Sequence, residues 1–179
     1  MDQVQIHPSG FIDPKSPSSI SKILAPEALR GSGGILINSQ GERFANELGS
    51  RAYLANAIQR HCSPHQELLE SQRPQPVAFL ILNKKACESF GLDAISFYLQ
   101  RGLMKEYSNI QEVAVSNGFS SEKLLQTIEQ YNEASRLGID MFQKKSFPIE
   151  FIDPEDKLFI AQVTPVIHYT LGGIKVRNK

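Results

Sequence analysis

The stretch Gly33-Gly34-Ile35-Leu36-Ile37-Asn38-Ser39-Gln40-Gly41-Glu42-Arg43-Phe44 decides how the chain is read. Apolar β-formers meet a Ser/Gln/Gly turn there, and that order predicts a hairpin. Toward the N-terminus, Met1-Asp2-Gln3-Val4-Gln5-Ile6-His7-Pro8 opens directly in a strand, and Pro8, Gly10, Pro14 and Pro17 then punctuate a loop. Pro26 suits a first helical turn and Gly31 a helix end, which predicts a short helix around Ala25–Arg30. Toward the C-terminus, Tyr53, Leu54, Ala57 and Ile58 recur at helical spacing and stop before Pro64. A polar linker (Ser63–Pro76) precedes Val77-Ala78-Phe79-Leu80-Ile81-Leu82, an apolar run that reads as a buried strand. Helices are expected across Lys84–Phe90 and Ala94–Arg101, and a strand across Leu103–Tyr107. Ser108 with Gln111 resembles a capping box, opening a helix that ends near Asn117-Gly118. Leu124, Ile128 and Tyr131 mark an amphipathic helix to about Leu137. Leu158–Val163 and Ile167–Thr170 read as a strand pair parted by Pro165. A hairpin first, with mixed helices and strands after it, gives an α+β class rather than a βαβ alternation.

Composition excludes more than it indicates. The 179 residues suit one domain, at most a small pair. Hydrophobic residues at 41% and charged residues at 21% argue against disorder. Nineteen basic residues balance nineteen acidic ones, so no net field draws the chain to nucleic acid or an anionic membrane. No apolar run approaches the roughly 18 residues of a membrane span, and the N-terminus lacks a signal-peptide pattern. Cys62 and Cys87 form no disulfide framework or zinc spacing, so reduced thiols and an intracellular setting are expected, cytoplasmic or organellar.

Among candidate motifs, Gly31-Ser32-Gly33-Gly34 fails as a dinucleotide fingerprint, because the third glycine would fall on Leu36 and a helix precedes the run. His61-Cys62-Ser63-Pro64-His65 offers three ligand types but no fourth donor at metal spacing, so no metal site is assigned. His7 and His168-Tyr169-Thr170 lie beside strands at opposite ends of the chain. With Glu27, Arg30 and Arg51 they form a set suited to a dianion, since arginine offers a planar fork to a carboxylate. Glu27 and Arg30, three apart, can share one helical face.

Five ordered segments carry a resemblance. They are Gln3-Val4-Gln5-Ile6-His7-Pro8, Glu27-Ala28-Leu29-Arg30-Gly31, Gly33–Asn38, Gly41-Glu42-Arg43-Phe44-Ala45-Asn46-Glu47-Leu48-Gly49-Ser50-Arg51, and Thr164-Pro165-Val166-Ile167-His168-Tyr169-Thr170-Leu171-Gly172-Gly173. Together they resemble the capping domain of the fumarate reductase/succinate dehydrogenase flavoprotein family, nearest to its soluble, single-chain fumarate reductases. The resemblance implies that residues 1–179 are a capping domain excised from a larger flavoprotein. About 1–8 and 168–179 would then form the junction with a missing FAD-binding domain. It implies FAD in the whole enzyme but not on this piece, NADH as electron donor, and fumarate and succinate as substrate and product. Arg51 matches the family's catalytic acid, and Glu27 and Arg30 the relay that returns its proton. His7 and His168 match the histidines that hold substrate carboxylates, with Thr170 beside His168. The piece alone is expected to be inactive.

Two departures from the family pattern stand out. Ala52 follows Arg51 where aspartate is common, and Pro26 precedes Glu27 where threonine or alanine is usual. The first bears on the positioning of Arg51, the second on a hydroxyl contact to substrate. Other readings stay open at this level: the same family with another substrate, such as succinate dehydrogenase, aspartate oxidase or another alkene reductase, or a stand-alone binding module without catalysis.

Overall fold

The structure, a computed structural model, describes residues 4–64, 74–170 and 172–173. Strand β1 (Val4–Phe11) leads to helix α1 (Glu27–Gly31), strand β2 (Ile35–Ile37) and helix α2 (Arg51–His61). Strand β3 (Ala78–Asn83), helices α3 (Lys84–Phe90) and α4 (Leu92–Gln100) and strand β4 (Lys105–Tyr107) follow. Helices α5 (Ile110–Asn117) and α6 (Ser121–Leu137) then precede strand β5 (Leu158–Thr170). Every pairing is antiparallel, in the order β1-β5-β3-β2, with β4 also on β5. All six residues of β3 are buried, because β2 and β5 flank it and α3 packs on it. That explains why its sequence is a continuous apolar run instead of an alternation.

Several expectations need correction. The hairpin closes through one bridge, Ile37 to Arg43, and the strand partner of β2 is β3. The Asn38 side chain accepts the N–H groups of Gln40 and Glu42, and Gly41 takes a φ of 81°. This Asx-type turn diverts the chain after a single rung, and the Arg43 side chain enters a buried ion pair with Glu47.

The expected final strand pair is one strand, because Pro165 interrupts nothing. It lies beyond the last β3 rung, Ala78 to Val163, and opposite a register break in β1 between His7 and Gly10. Neither neighbour needs its missing N–H. Pro8 is tolerated likewise, so β1 continues to Phe11 where a loop was expected.

Helix ends differ by a residue or two. Pro26 is the N-cap of α1 and not part of its first turn. The α5 box sits one residue later than read: Asn109 accepts from Glu112 N–H, and the Glu112 carboxylate accepts from Ser108 N–H. Helix α4 starts at Leu92, ahead of Ala94. Helix α6 runs as expected to Leu137, where Gly138 supplies the left-handed cap.

Candidate active site

The cleft is built where α2 begins against the ribbon of β1 and β5. Ser50 caps α2 by accepting from Tyr53 N–H, which fixes Arg51 at the first helical position. Just upstream, Asn46 Oδ1 accepts from Leu48 N–H and Asn46 O from Gly49 N–H. Gly49 is required here: a Cβ would lie 2.4 Å from the Tyr53 ring. The turn thereby directs Arg51 back toward α1 and β1.

Arg51 Nε donates to Glu27 Oε2 at 2.8 Å, and its Nη1 donates to Gln5 Oε1 at 2.5 Å. Gln5 Oε1 also lies 3.4 Å from His168 Nδ1. The His168 and His7 ring centroids are 5.4 Å apart. Two irregularities in the β1–β5 ladder bring these rings together. Gln5 pairs with Tyr169 and Ile6 with Ile167, so His168 is the extra residue; Pro8 and Ser9 then oppose Pro165 alone. Bulges of this kind bend a strand and re-aim side chains. Five of the six expected site residues, Arg51, Glu27, Arg30, His7 and His168, thus converge on one end of the sheet. Thr170 ends β5, and its hydroxyl accepts from Gly172 N–H at 3.2 Å. The open space over Arg51 is a cleft of about 710 Å³ lined by Gln5, Glu27, Arg51, Ala52, Asn56 and Gln59 among others.

The electrostatics are unequal. Glu27 lies well below its ordinary value because it accepts from Arg51, and Arg51 lies above its own for the same reason. In this arrangement the guanidinium keeps its proton. His7 is lowered to about 4, by burial first and by the Arg30 charge second. It is neutral at pH 7, with Nδ1 3.2 Å from both the N–H and the carbonyl oxygen of Ser9. Arg30 is buried, and burial lowers its affinity for its proton. Its Nη1 donates to Glu47 O at 2.6 Å, while Nε and Nη2 are buried without a partner. Two arginines, a neutral histidine and a second imidazole around one carboxylate can receive a dianion and present donors to it.

Gln5 has no signal of its own in the sequence beyond β-strand period two, which puts it on the same face as His7. Glu47, Lys144 and Asp140 were not singled out. Their only local signal is the Arg43–Glu47 spacing of four. For the His61–His65 motif, His65 lies outside the described residues; Cys62 is buried, and its thiol is pushed up to about 12. Among the described residues, no group of three or more His, Cys, Asp or Glu could hold a metal ion, and no helix is long and apolar enough to cross a membrane.

The family described as FAD binding domain matches residues 1–179, and the chain belongs to that family of FAD-dependent oxidoreductases, which includes fumarate reductases. It is 38% identical over 177 residues to fumarate reductase of Schizosaccharomyces pombe, covering 98% of this chain and 32% of that protein. It is 36% identical over 190 residues to fumarate reductase 1 of Saccharomyces cerevisiae, covering 100% of this chain and 37% of that one. A solved flavocytochrome c3 fumarate reductase in its open conformation superposes with a TM-score of 0.74 at 26% identity, covering 97% of this chain and 27% of the other. The chain spans about a third of the length of the curated relatives it matches.

The Gly31–Gly34 run does not fit the phosphates of a flavin dinucleotide. The glycine run that would have to cradle phosphates is occupied by packing: a Cβ on Gly33 would lie 2.2 Å from Ile149, and one on Gly34 would lie 2.8 Å from Leu29 O. Ser32, just before them, is the C-cap of α1 and so lies at the wrong end of a helix for an anion.

Proposed function

We propose that this chain is the substrate-capping domain of a longer FAD-dependent fumarate reductase, converting fumarate to succinate with NADH as the electron donor. The contact that carries the reading is Arg51 on Glu27 in the cleft, with Gln5 linking Arg51 to His168 and the His7 ring 5.4 Å beyond it. In this reading the flavin supplies hydride from another part of the parent protein. His7 and His168 hold the substrate carboxylates. Arg51 gives a proton to the alkene carbon, and Glu27 and Arg30 return it. Arginine is a weak acid, and Glu27 makes Arg51 weaker still while the cleft is open. Proton release from Arg51 therefore requires exclusion of water and a change in the Glu27 contact, which a covering surface provides. Support for such a surface comes from the ribbon itself, which leaves Val4, Ile6, Ile167 and Tyr169 exposed beside the cleft. The solved relative covers this chain over only 27% of its own length, which leaves ample protein to supply that surface.

The test uses the parent protein with its flavin. Arg51→Ala, and equally Arg51→Lys, should reduce NADH-driven fumarate turnover by about 10²–10⁴-fold, the usual range for general-acid catalysis. Flavin absorbance should stay unchanged. Near-normal turnover in Arg51→Ala would remove the assignment, and turnover of another alkene but not fumarate would reassign the substrate.

A further inference from the structure

Beneath the Asn46–Arg51 segment lies a set of charged side chains that the cleft does not use. Glu47 and Lys144 are fully shielded from water, and Arg43 and Asp140 nearly so. Glu47 Oε1 accepts from Arg43 Nε at 2.8 Å and from Leu36 N–H at 3.4 Å. Glu47 Oε2 accepts from Arg43 Nη2 and from Lys144 Nζ, both at 3.0 Å. Arg43 Nη1 donates to Asp140 Oδ1 at 2.7 Å, and Asp140 Oδ2 accepts the N–H groups of Phe142 and Lys144. Two cations face two carboxylates. Burial alone would raise Glu47, but the Arg43 bond and charge outweigh it and hold the carboxyl below its ordinary value, so it is ionised.

All four acceptor positions of the Glu47 carboxylate are therefore filled. Its main-chain oxygen takes Arg30 Nη1, and Arg30 keeps two buried donors without a partner. A buried guanidinium with open donors gains by turning to an unsaturated carboxylate. Two carboxylates act on Arg30 through their charge, Glu27 more strongly and Glu47 next.

We propose that Lys144 is a positioning residue of the cleft: by filling the last acceptor site on Glu47 it holds Arg30 away from that carboxylate, leaving the open guanidinium edge to Glu27 and His7. The inference rests on the proposed function only for what the arrangement serves.

The test is Lys144→Met in the 179-residue chain, followed by NMR titration of the His7 ring. The charged and titratable groups around His7 are Arg30 and Glu27 from α1, Arg51 from α2 and His168 from β5. Once Glu47 is left with a free acceptor site, Arg30 turns to it. Its charge then leaves His7, whose midpoint should rise above about 4. Lys144→Arg should restore the original midpoint, and Lys144→Met combined with Glu47→Gln, which offers Arg30 no carboxylate, should also keep it. A purely structural lysine would lower Tm and leave the His7 midpoint where it was; that result overturns the proposal. If Lys144→Met does not fold, Lys144→Leu also removes the donor and the charge and is judged by the same midpoint. In the flavin-loaded parent, Lys144→Met should lower kcat by about tenfold or more with KM held, because the relay and not the carboxylate clamp is disturbed. An unsubstituted parent inactive on fumarate defeats the functional reading and leaves the His7 result standing; an unmoved His7 midpoint defeats the role of Lys144 alone.

Discussion

His7 is 1% exposed, and a histidine sealed from water with two arginines nearby must shed its proton to fold. Its midpoint falls from 6.5 to about 4, so between those values the unfolded chain binds a proton that the folded chain does not. Stability therefore rises with pH across that window and is lost as pH falls from about 6.5 toward 4. The loss from this group reaches at most about 3–4 kcal/mol, at 1.36 kcal/mol for each pKa unit. Urea unfolding between pH 7 and pH 5 should show this slope, and His7→Asn should flatten it; an equal slope in the variant would assign the effect elsewhere. At this scale the sequence was only partly legible. Arg51, Glu27, Arg30, His7 and His168 could be named, but Lys144 could not. The run Gln143-Lys144-Lys145 reads as a solvated loop, and only the fold reveals that Lys144 turns inward to Glu47 while Lys145 does not. A lysine becomes a buried ion-pair partner through long-range packing, which leaves no periodic trace along the chain.

Helix α2 begins with a cation. Arg51 occupies its first position, and its first turn carries no acidic residue, so the helix dipole opposes the side chain on which the cleft depends. Glu27 offsets this from α1. Ala52→Asp would place an anion in that first turn and should stabilise the chain by about 0.3–1 kcal/mol. That corresponds to a Tm higher by about 1–3 °C in a chain of this size. A Tm that is unchanged or lower would show that the α2 terminus is already electrostatically satisfied. Most elements could be placed from periodicity and caps to within a residue or two. The prolines misled, because Pro8 and Pro165 are strong strand breakers only where an N–H must pair. Both lie at a register break that no single strand's sequence discloses.

The molecule as a whole has a core that does not depend on the cleft. β2, β3 and the first half of β5 are buried, whereas the second half of β5 runs out into the exposed ribbon. The 179-residue chain should fold cooperatively and purify colourless, with no visible flavin absorbance even after incubation with excess FAD. Stoichiometric retention of flavin would mean a dinucleotide site that the Gly31–Gly34 packing does not provide. The antiparallel core order was beyond sequence reasoning, since β2 pairs with β3 some forty residues on, and β3 pairs with β5 about eighty residues further on.

The ribbon also determines how the molecule responds to mechanical load. Val4 faces Thr170 at its outer end and Phe11 faces Val163 at its root, so the two flanks of the chain are adjacent. Traction applied through those flanks acts on one rung at a time, in an unzipping geometry, and never loads the rungs in parallel. The first rungs to open carry Gln5, His7 and His168, while β3 and its neighbours remain closed. Under tension the domain would part at the cleft long before its core yields, and local opening of this sort requires far less work than global unfolding. The cleft is the molecule's mechanical fuse.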